Sequence, residues 1–257
     1  MPSNPRFDLE GRVAIVTGGG KGIGKVYAQE FARAGAKVIA ADIDGEAAEA
    51  VAAGIVRGNG EALGLATDVS DEAQANAMAK AALDRFGGID ILVNNASLMS
   101  ALPRRSWLEI PVEEWDRVMA VNLCGLMLCA RAVFPAMKAR GRGKIVNISS
   151  SRVWEGTPNR LHYTTSKAGV IGFTRALARE LGEFKINVNA VTPGMTLSET
   201  QVATTSGNYA ATRSSGRALE RDQYPEDLIG TVMFLSSPAS DFITGQTINV
   251  DGGKSMH

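Results

Sequence analysis

The sequence predicts an α/β protein built on a single doubly wound parallel sheet of seven strands with helices on both faces. Short apolar runs alternate with longer helical stretches along all 257 residues, which is the pattern of a parallel sheet covered on both sides. The first apolar run leads directly into a glycine-rich loop at residues 17–24. No linker rich in proline, glycine or serine divides the chain, so one domain, residues 1–257, is expected.

The candidate strands are short and apolar: 13–16, 37–41, 62–66, 89–93, 144–148, 187–191 and 247–250. The helical stretches between them are 22–34, 45–58, 71–86, 111–140, 161–183 and 225–235. Pro111 and Pro225 stand where a first helical turn tolerates proline, and acidic residues that suit the positive end of a helix follow each of them. In such a sheet a ligand is expected outside the carboxyl ends of the strands, near the reversal of strand order.

The glycine loop after the first strand predicts a Rossmann-type site for a dinucleotide. Gly18, Gly22 and Gly24 let the backbone turn sharply and approach a diphosphate, and the amides that open the next helix face its negative charge. A glycine motif alone is weak evidence, because glycine-rich turns occur in many folds.

Tyr163 and Lys167 are the most specific chemical signal. They are four residues apart within a predicted helix and therefore share one face, so the ammonium lies near the phenol and favours its ionised form. A phenol is otherwise a poor acid or base near neutral pH, because its usual pKa is about 10. Beside a nicotinamide, this pair would move a proton while a hydride moves.

Composition excludes several classes of protein. Twenty-seven basic residues balance twenty-seven acidic ones, which gives no electrostatic reason to expect nucleic acid or a membrane surface as a partner. No stretch reaches about 18 apolar residues and the N-terminus lacks the apolar core of a signal peptide, so a cytoplasmic protein without a membrane span is expected. Cys124 and Cys129 are predicted to be buried or interface hydrophobes, and His162 and His257 lack a ligand cluster, so no metal is expected.

These motifs, in this order, make the chain resemble the short-chain dehydrogenase/reductase family, in its compact branch with a Ser-Tyr-Lys-Asn catalytic set. The resemblance runs from Gly11 to Gly253 and includes Asn94, Ser150 and the thirteen-residue spacing from Ser150 to Tyr163. It implies an oxidoreductase, and the C-terminal stretch is similar to that of NAD-dependent secondary-alcohol dehydrogenases.

The family implies roles for individual positions. Tyr163 is the general acid/base, Ser150 hydrogen-bonds the reacting oxygen, Lys167 lowers the pKa of Tyr163 and holds the nicotinamide ribose, and Asn122 positions a water. The expected cofactor-binding residues are Gly18, Lys21, Gly22, Ile23, Gly24, Asp42, Ile43, Asp68, Val69, Asn95, Ala96, Tyr163, Lys167, Pro193, Gly194 and Thr196. The expected substrate-binding residues are Ser97, Ser150, Trp154, Tyr163 and Met195, with residues 195–224 as a substrate lid.

Ser97 departs from the family pattern, in which glycine usually follows Asn-Asn-Ala. Leu98, Met99, Trp154, Leu161 and Met195 lie near catalytic residues in the sequence and predict a mostly apolar substrate pocket.

Asp42 and Lys21 bear on the choice of cofactor. Asp42 closes the second strand, where its carboxylate would hold the adenosine ribose hydroxyls and repel a 2′-phosphate, which favours NAD. Lys21 argues the other way, because a basic residue in the glycine loop is a feature of NADP-preferring relatives. A lone lysine is a flexible, solvated charge, so we expect Asp42 to decide the preference.

Three functions are compatible with these residues. The first is an NAD-dependent dehydrogenase of a secondary or cyclic alcohol. The second is an NADPH-dependent ketoreductase of the 3-oxoacyl carrier-protein type, which Asp42 disfavours. The third is a cofactor-sensing regulator without catalysis, in which part of the tyrosine-lysine-serine set would be expected to be lost.

A homotetramer is also expected. Two helices carry more apolar surface than one sheet face needs, through Leu123, Leu126, Met127, Ala130 and Phe134 on the first, and Val170, Phe173, Ala176 and Leu177 on the second. The resemblance implies that these helices pair across one two-fold axis, and that the last helix and strand pair across another.

Overall fold

The computed structural model describes residues 7, 9–99, 102–200 and 216–256. Within them one parallel sheet has the order β3-β2-β1-β4-β5-β6-β7, which confirms the predicted doubly wound fold. The strands are β1 Val13–Thr17, β2 Lys37–Asp42, β3 Ala62–Ala66, β4 Ile91–Asn94, β5 Gly143–Ile148, β6 Ile186–Pro193 and β7 Thr247–Val250. The order reverses between β1 and β4, so the crevice for a ligand lies outside their carboxyl ends.

The α-helices of the described residues flank this sheet on both faces: α1 Gly22–Arg33, α2 Gly45–Arg57, α3 Glu72–Phe86, α4 Val112–Met119, α5 Gly125–Arg140, α6 Arg152–Glu155, α7 Leu161–Leu181 and α8 Glu226–Ser236. Asp44 and Asp71 cap α2 and α3 by accepting hydrogen bonds from Ala47 N and Gln74 N. Pro111 and Pro225 stand at the N-caps of α4 and α8, close to their predicted positions.

Each face of the sheet has its own apolar core, because successive side chains of a strand point to opposite faces. Val13 and Ile15 of β1 pack with residues of α3, α5 and α7, whereas Ala14 and Val16 pack with residues of α1, α2 and α8. The strands near the centre are almost fully buried, which explains why they read as continuous apolar runs in the sequence.

The predicted helix 111–140 is interrupted by a π-helical turn, Ala120–Cys124, between α4 and α5. Periodicity does not reveal this turn, since it adds one residue to an otherwise continuous helix. It matters for function because it carries Asn122, whose side chain is completely buried.

By length and composition the helical segment Val112–Arg140, with its π-helical turn, would also be able to cross a membrane, since an 18-residue window within it has a mean hydropathy of 1.7. In the fold, Leu128, Cys129, Val133 and Met137 of this helix pack into the core against the sheet. Helices at the core of a globular sheet protein reach the same hydropathy.

The two cysteines are free, with Cys129 buried and Cys124 exposed on the single chain. The helix faces expected to form a subunit interface are only partly exposed to solvent on the single chain. Leu126, Ala130 and Val170 are buried within their own chain, whereas Met127 is 42% exposed. The apolar surface left over is therefore smaller than the sequence suggested.

Candidate active site

A cavity of about 590 Å³ lies outside the carboxyl ends of the strands. It brings together most of the residues that the sequence singled out: Gly18, Lys21, Gly22, Ile23, Gly24, Asp42, Ile43, Asp68, Val69, Asn95, Ala96, Ser97, Ser150, Tyr163, Lys167, Pro193, Gly194, Met195 and Thr196. Asn122 and Trp154 do not line it. The cavity follows the strand order, because residues just after β1, β2, β3, β4, β5 and β6 all contribute to its wall.

The glycine loop forms a tight cradle that leaves no room for side chains. A Cβ atom on Gly24 would lie 2.0 Å from the carbonyl oxygen of Gly18, and one on Gly18 would lie 2.9 Å from Cα of Ala96. Asn95 fixes the loop by donating from Nδ2 to the carbonyl oxygens of Thr17 at 3.0 Å and Gly18 at 3.2 Å. Its neighbour Asn94 is buried and hydrogen-bonds Asn147 across to β5, so it does not line the cavity.

The amino end of α1 already holds an anion. Oε1 of Glu199 accepts a hydrogen bond of 3.2 Å from the amide of Gly22, and the Glu199 carboxylate also pairs with Nζ of Lys25. The hydrogen bond from Gly22 is the main reason that the pKa of Glu199 is lowered. A carboxylate bound at this amide shows that the amino end of α1 fits a negative group such as a dinucleotide diphosphate.

Asp42 lies at the carboxyl end of β2 with its carboxylate held by two amides. Oδ2 accepts from Gly20 N at 2.9 Å and Oδ1 accepts from Asp44 N at 3.0 Å. Lys21 turns to Asp44, with Nζ 2.5 Å from Oδ2. The charge of Lys21 is therefore compensated by a neighbouring carboxylate, while that of Asp42 stays at the cavity wall.

Asp68 closes the same end of the cavity after β3. Its Oδ1 accepts hydrogen bonds from the amide and the hydroxyl of Ser70, and its Oδ2 lies 3.8 Å from a guanidinium nitrogen of Arg117. The hydrogen bond from the Ser70 hydroxyl is the main reason that the pKa of Asp68 is lowered.

Ser150 and Tyr163 meet because β5 and α7 converge on the cavity. Ser150 follows the carboxyl end of β5, and Tyr163 lies in the first turn of α7 with only 6% of its surface exposed. Burial raises the pKa of Tyr163, and hydrogen bonds from the hydroxyls of Ser150 and Ser97 and the charges of Arg152 and Arg160 oppose that rise.

Lys167 is almost completely buried, and its Nζ donates a 2.8 Å hydrogen bond to the carbonyl oxygen of Ile148. Nζ lies 5.9 Å from the centroid of the Tyr163 ring, and burial lowers the pKa of Lys167 to about 7. The effect of Lys167 on the pKa of Tyr163 therefore stays a prediction from the family resemblance. The groups that oppose the rise in the pKa of Tyr163 are Ser150, Arg152, Arg160 and Ser97. Nζ of Lys167 is directed to the carbonyl oxygen of Ile148.

Asn122 connects the cavity wall to the catalytic helix. Its Oδ1 accepts from Leu98 N at 2.7 Å and from the Ser97 hydroxyl at 3.3 Å, and its Nδ2 donates to Leu98 O and to Oγ of Ser166. Ser166 in turn donates to the carbonyl oxygen of Tyr163. Ser97, the residue that departs from the family pattern, thus contacts both Asn122 and the phenol of Tyr163.

The substrate end differs from the sequence prediction in two ways. Trp154 was expected to bind substrate, but it lies outside the cavity lining and Nε1 is 3.4 Å from Oγ1 of Thr192 on β6. The wall is also less apolar than expected. Besides Leu98, Met99 and Met195 it includes charged residues that sequence reasoning missed: Arg104, Arg152, Glu155 and Lys254. Only tertiary structure brings Lys254 and Glu155 together, at 2.9 Å.

Of the expected lid, residues 201–215 lie outside the described residues. The start of the segment, through Thr196, Ser198 and Thr200, lines the cavity on the side of the glycine loop. A Cβ atom on Gly22 would lie 2.8 Å from Oγ1 of Thr200, so this part of the chain packs directly on the loop.

A buried phenol, a serine hydroxyl against it and an anion-binding glycine loop in one cavity suit proton transfer coupled to a nucleotide cofactor. Residues 18–255 match the family model described as enoyl-(acyl carrier protein) reductase. The chain belongs to the short-chain dehydrogenase/reductase family. Its seven-stranded parallel sheet with flanking helices is the Rossmann-type fold of that family.

Similar proteins of the family span almost its whole length. An uncharacterized oxidoreductase of Mycobacterium tuberculosis is 43% identical over 246 residues, which cover 96% of this chain and 98% of that protein. A 3-oxoacyl-[acyl-carrier-protein] reductase of Synechocystis is 38% identical over 250 residues, covering 96% and 98%. A sorbitol dehydrogenase of Cereibacter sphaeroides is 39% identical over 259 residues, covering 96% and 99%. The chain is therefore similar to several kinds of oxidoreductase.

Solved structures of the family superpose closely. A protein of Sinorhizobium meliloti provisionally designated a short-chain alcohol dehydrogenase has a TM-score of 0.90 and 35% identity, covering 98% of this chain and all of that one. A protein of Beutenbergia cavernae provisionally designated an NAD(P)-dependent gluconate 5-dehydrogenase has a TM-score of 0.89 and 36% identity, covering 97% and 98%. The latter holds NADP at low occupancy.

Proposed function

We propose that this short-chain dehydrogenase/reductase transfers a hydride between NAD(H) and a secondary or cyclic alcohol or the corresponding ketone. One observation carries the proposal. Ser150, Tyr163 and Lys167 line the same cavity as the glycine loop and Asp42. A proton-transfer group and a dinucleotide cradle thus face one space, as coupled hydride and proton transfer requires.

NAD, when bound along the glycine loop and Asp42, supplies the acceptor for the hydride. In the oxidation direction the ionised Tyr163 takes the proton of the alcohol, and in the reduction direction the phenol gives its proton to the carbonyl oxygen. The Ser150 hydroxyl donates a hydrogen bond to the same oxygen and stabilises the charge that builds there. Lys167 contributes a buried group whose protonation changes near neutral pH, because its pKa is about 7.

The preference for NAD rests on charge. The Asp42 carboxylate at the cavity wall would repel a 2′-phosphate, and Lys21 is paired with Asp44 and so is not free to attract one. We expect Asp42→Asn, which removes the charge but keeps an acceptor for Gly20 N, to shift the ratio of kcat/KM for NAD and NADP by about tenfold toward NADP. Equal use of both cofactors by the wild type would contradict this preference.

The substrate class is supported by the cavity and by relatives. Leu98 and Met99 pack with Tyr163, and Met195 lines the same cavity, so all three offer apolar contacts to the carbon skeleton of an alcohol. The similarity to a sorbitol dehydrogenase supports an alcohol as the substrate. The similarity to a 3-oxoacyl-[acyl-carrier-protein] reductase favours a second candidate, a ketoreductase for acyl thioesters.

The decisive experiment is an absorbance screen at the reduced-nicotinamide band. Purified protein is offered secondary and cyclic alcohols with NAD and NADP, and ketones and a 3-oxoacyl thioester with NADH and NADPH. NAD-linked oxidation of an alcohol supports the proposal. Turnover of the thioester alone with NADPH would support the ketoreductase, and cofactor binding without turnover of any compound would support a regulator.

A homotetramer in the cytoplasm remains part of the proposal. Met127 is exposed on α5, and Phe242, which precedes the half-buried edge strand β7, is completely exposed. Both would be covered by the two two-fold interfaces expected for the family. Light scattering over a dilution series checks the assembly. A fully active monomer would refute it, and a dimer would leave one interface unsupported.

A further inference from the structure

The two ends of the cavity differ in charge. At the cofactor end Lys21 pairs with Asp44, and Arg117 pairs with Asp68. The charged lining residues that the structure describes at the other end are Arg104, Arg152, Lys254 and a single carboxylate, Glu155. Counted at neutral pH, three positive charges face one negative charge, so the substrate end has an excess of two positive charges.

Glu155 is already engaged. Its Oε1 accepts a 2.7 Å hydrogen bond from the Ser151 hydroxyl, and its Oε2 lies 2.9 Å from Nζ of Lys254. Lys254 is therefore the ion-pair partner of Glu155 at this end. Among the described residues, neither Arg152 nor Arg104 has a carboxylate partner at ion-pair distance, although the charge of Arg152 also acts on Glu155. Both guanidinium groups line the cavity and can reach a ligand in it.

Arg152 is placed to contact a substrate. It opens α6 directly after Ser151, and its amide donates to Oγ of Ser150 at 3.3 Å. Its charge acts on the phenol of Tyr163. Nη1 of Arg152 is buried and has no hydrogen-bond partner among the described residues. Buried guanidinium nitrogens are normally hydrogen-bonded, so this nitrogen is available to an acceptor atom of a ligand in the cavity.

Arg104 reaches the same region from another loop. The amide of Arg105 donates to the carbonyl oxygen of Asn159 at 3.2 Å, which ties the loop after β4 to the loop before α7. Arg160 in the latter loop directs Nη1 to the carbonyl oxygen of Met99, so it adds positive charge behind the wall without lining the cavity.

We propose that Arg152, assisted by Arg104, binds an oxyanion of the substrate, so that the substrate is an alcohol or ketone that also carries a carboxylate or a phosphate. This inference rests on the proposed function, because it assigns the substrate class of the same site. The charge of Arg152 acts on the phenol of Tyr163, so the anionic group would lie near the reacting carbon. A neutral polyol would leave the guanidinium without its partner.

Binding of small probes that do not react tests the subsite without turnover. Calorimetry on the NAD-saturated protein compares butyrate, inorganic phosphate and the neutral butyramide. We expect one of the two anions to bind about tenfold more tightly than butyramide, because a bidentate contact with arginine is charge-assisted. The anion that binds more tightly tells whether the anionic group of the substrate is a carboxylate or a phosphate.

Three variants make the result specific. Arg152→Gln is expected to abolish the preference for the anion, and Arg152→Lys to restore part of it, because lysine keeps the charge but loses the planar fork. Arg131→Gln, in an exposed ion pair on α5 outside the cavity, should bind all three probes like the wild type. Retained NAD binding by Arg152→Gln shows that the variant is folded.

The outcomes separate this inference from the proposed function. Equal binding of anions and butyramide by the wild type, or undiminished anion binding by Arg152→Gln, overturns the subsite even if alcohols are oxidised. Loss of anion binding in Arg152→Gln supports the subsite. If the wild type then oxidises no hydroxy acid, phosphorylated alcohol or neutral alcohol, the proposed dehydrogenase function fails on its own.

Discussion

The cofactor end and the substrate end of the cavity are built in different ways. The core of the cofactor end is backbone at the carboxyl ends of β1, β2 and β4, held by Asn95 and the amides around Asp42. The charged side chains Asp42 and Asp68 stand at its wall. The substrate end consists of long side chains from loops, α6 and the C-terminal segment. A site made of backbone accepts one ligand shape in any sequence that keeps its glycines. A site made of side chains can change with each substitution, and this explains why the family shares its cofactor class more readily than its substrates.

Replacement of Gly24 should disrupt the cofactor end of the cavity and leave the substrate end intact. The Cβ atom of Gly24→Ala would lie 2.0 Å from the carbonyl oxygen of Gly18, so the loop must move and NAD binding should be lost. Gly172→Ala is the matched control, because a Cβ atom there meets nothing within 4 Å. Fluorescence titration with NADH measures both. Wild-type affinity in Gly24→Ala would show that the loop is not the nucleotide cradle.

Ser97 lies where the cofactor end and the substrate end of the cavity meet, and its hydroxyl serves Asn122 and Tyr163. Its single hydroxyl proton goes to Asn122 while Tyr163 is protonated, and can turn to the phenolate when Tyr163 ionises. Ser97→Ala removes this donor, so the pKa of Tyr163 should rise further and the rate of alcohol oxidation should increase only at higher pH. One lost hydrogen bond is worth about 1 kcal/mol, or about fivefold in rate at neutral pH.

Rate profiles against pH for wild type, Ser97→Ala and Ser97→Thr check this prediction. The threonine variant keeps the hydroxyl and should stay close to the wild-type profile. If alanine and wild type gave the same profile, Ser97 would have no part in the ionisation of Tyr163.

The smallest effect is expected at Glu199. Its carboxylate accepts a hydrogen bond from Gly22 N, where a diphosphate would have to bind, so Glu199 competes with the cofactor. Glu199→Gln weakens this competitor by removing its charge from the amino end of α1 and from Lys25. NAD should bind about two- to fivefold more tightly, as expected for one charge at a helix terminus. Glu183→Gln, outside the cavity, is the control, and weaker NAD binding in Glu199→Gln would contradict the competition.

The same contrast explains what could be predicted from the sequence. The strands and the glycine loop could be read directly, because apolar runs and glycines express local requirements of the backbone. The π-helical turn at Asn122 could not, since the helical periodicity continues across it. Trp154 was misplaced because nearness in the sequence does not tell which way a side chain turns. Arg152 and Lys254 were missed because their roles depend on contacts between distant segments.

The central claim is that Tyr163 transfers the proton in a cavity that holds the cofactor independently. The most direct test measures NADH binding and NAD-linked alcohol oxidation in wild type and Tyr163→Phe side by side. The ring of phenylalanine keeps the packing of α7 but has no proton to exchange, so NADH should bind as to the wild type while turnover falls by about 10²- to 10⁴-fold. Turnover of Tyr163→Phe at the wild-type rate would contradict the account.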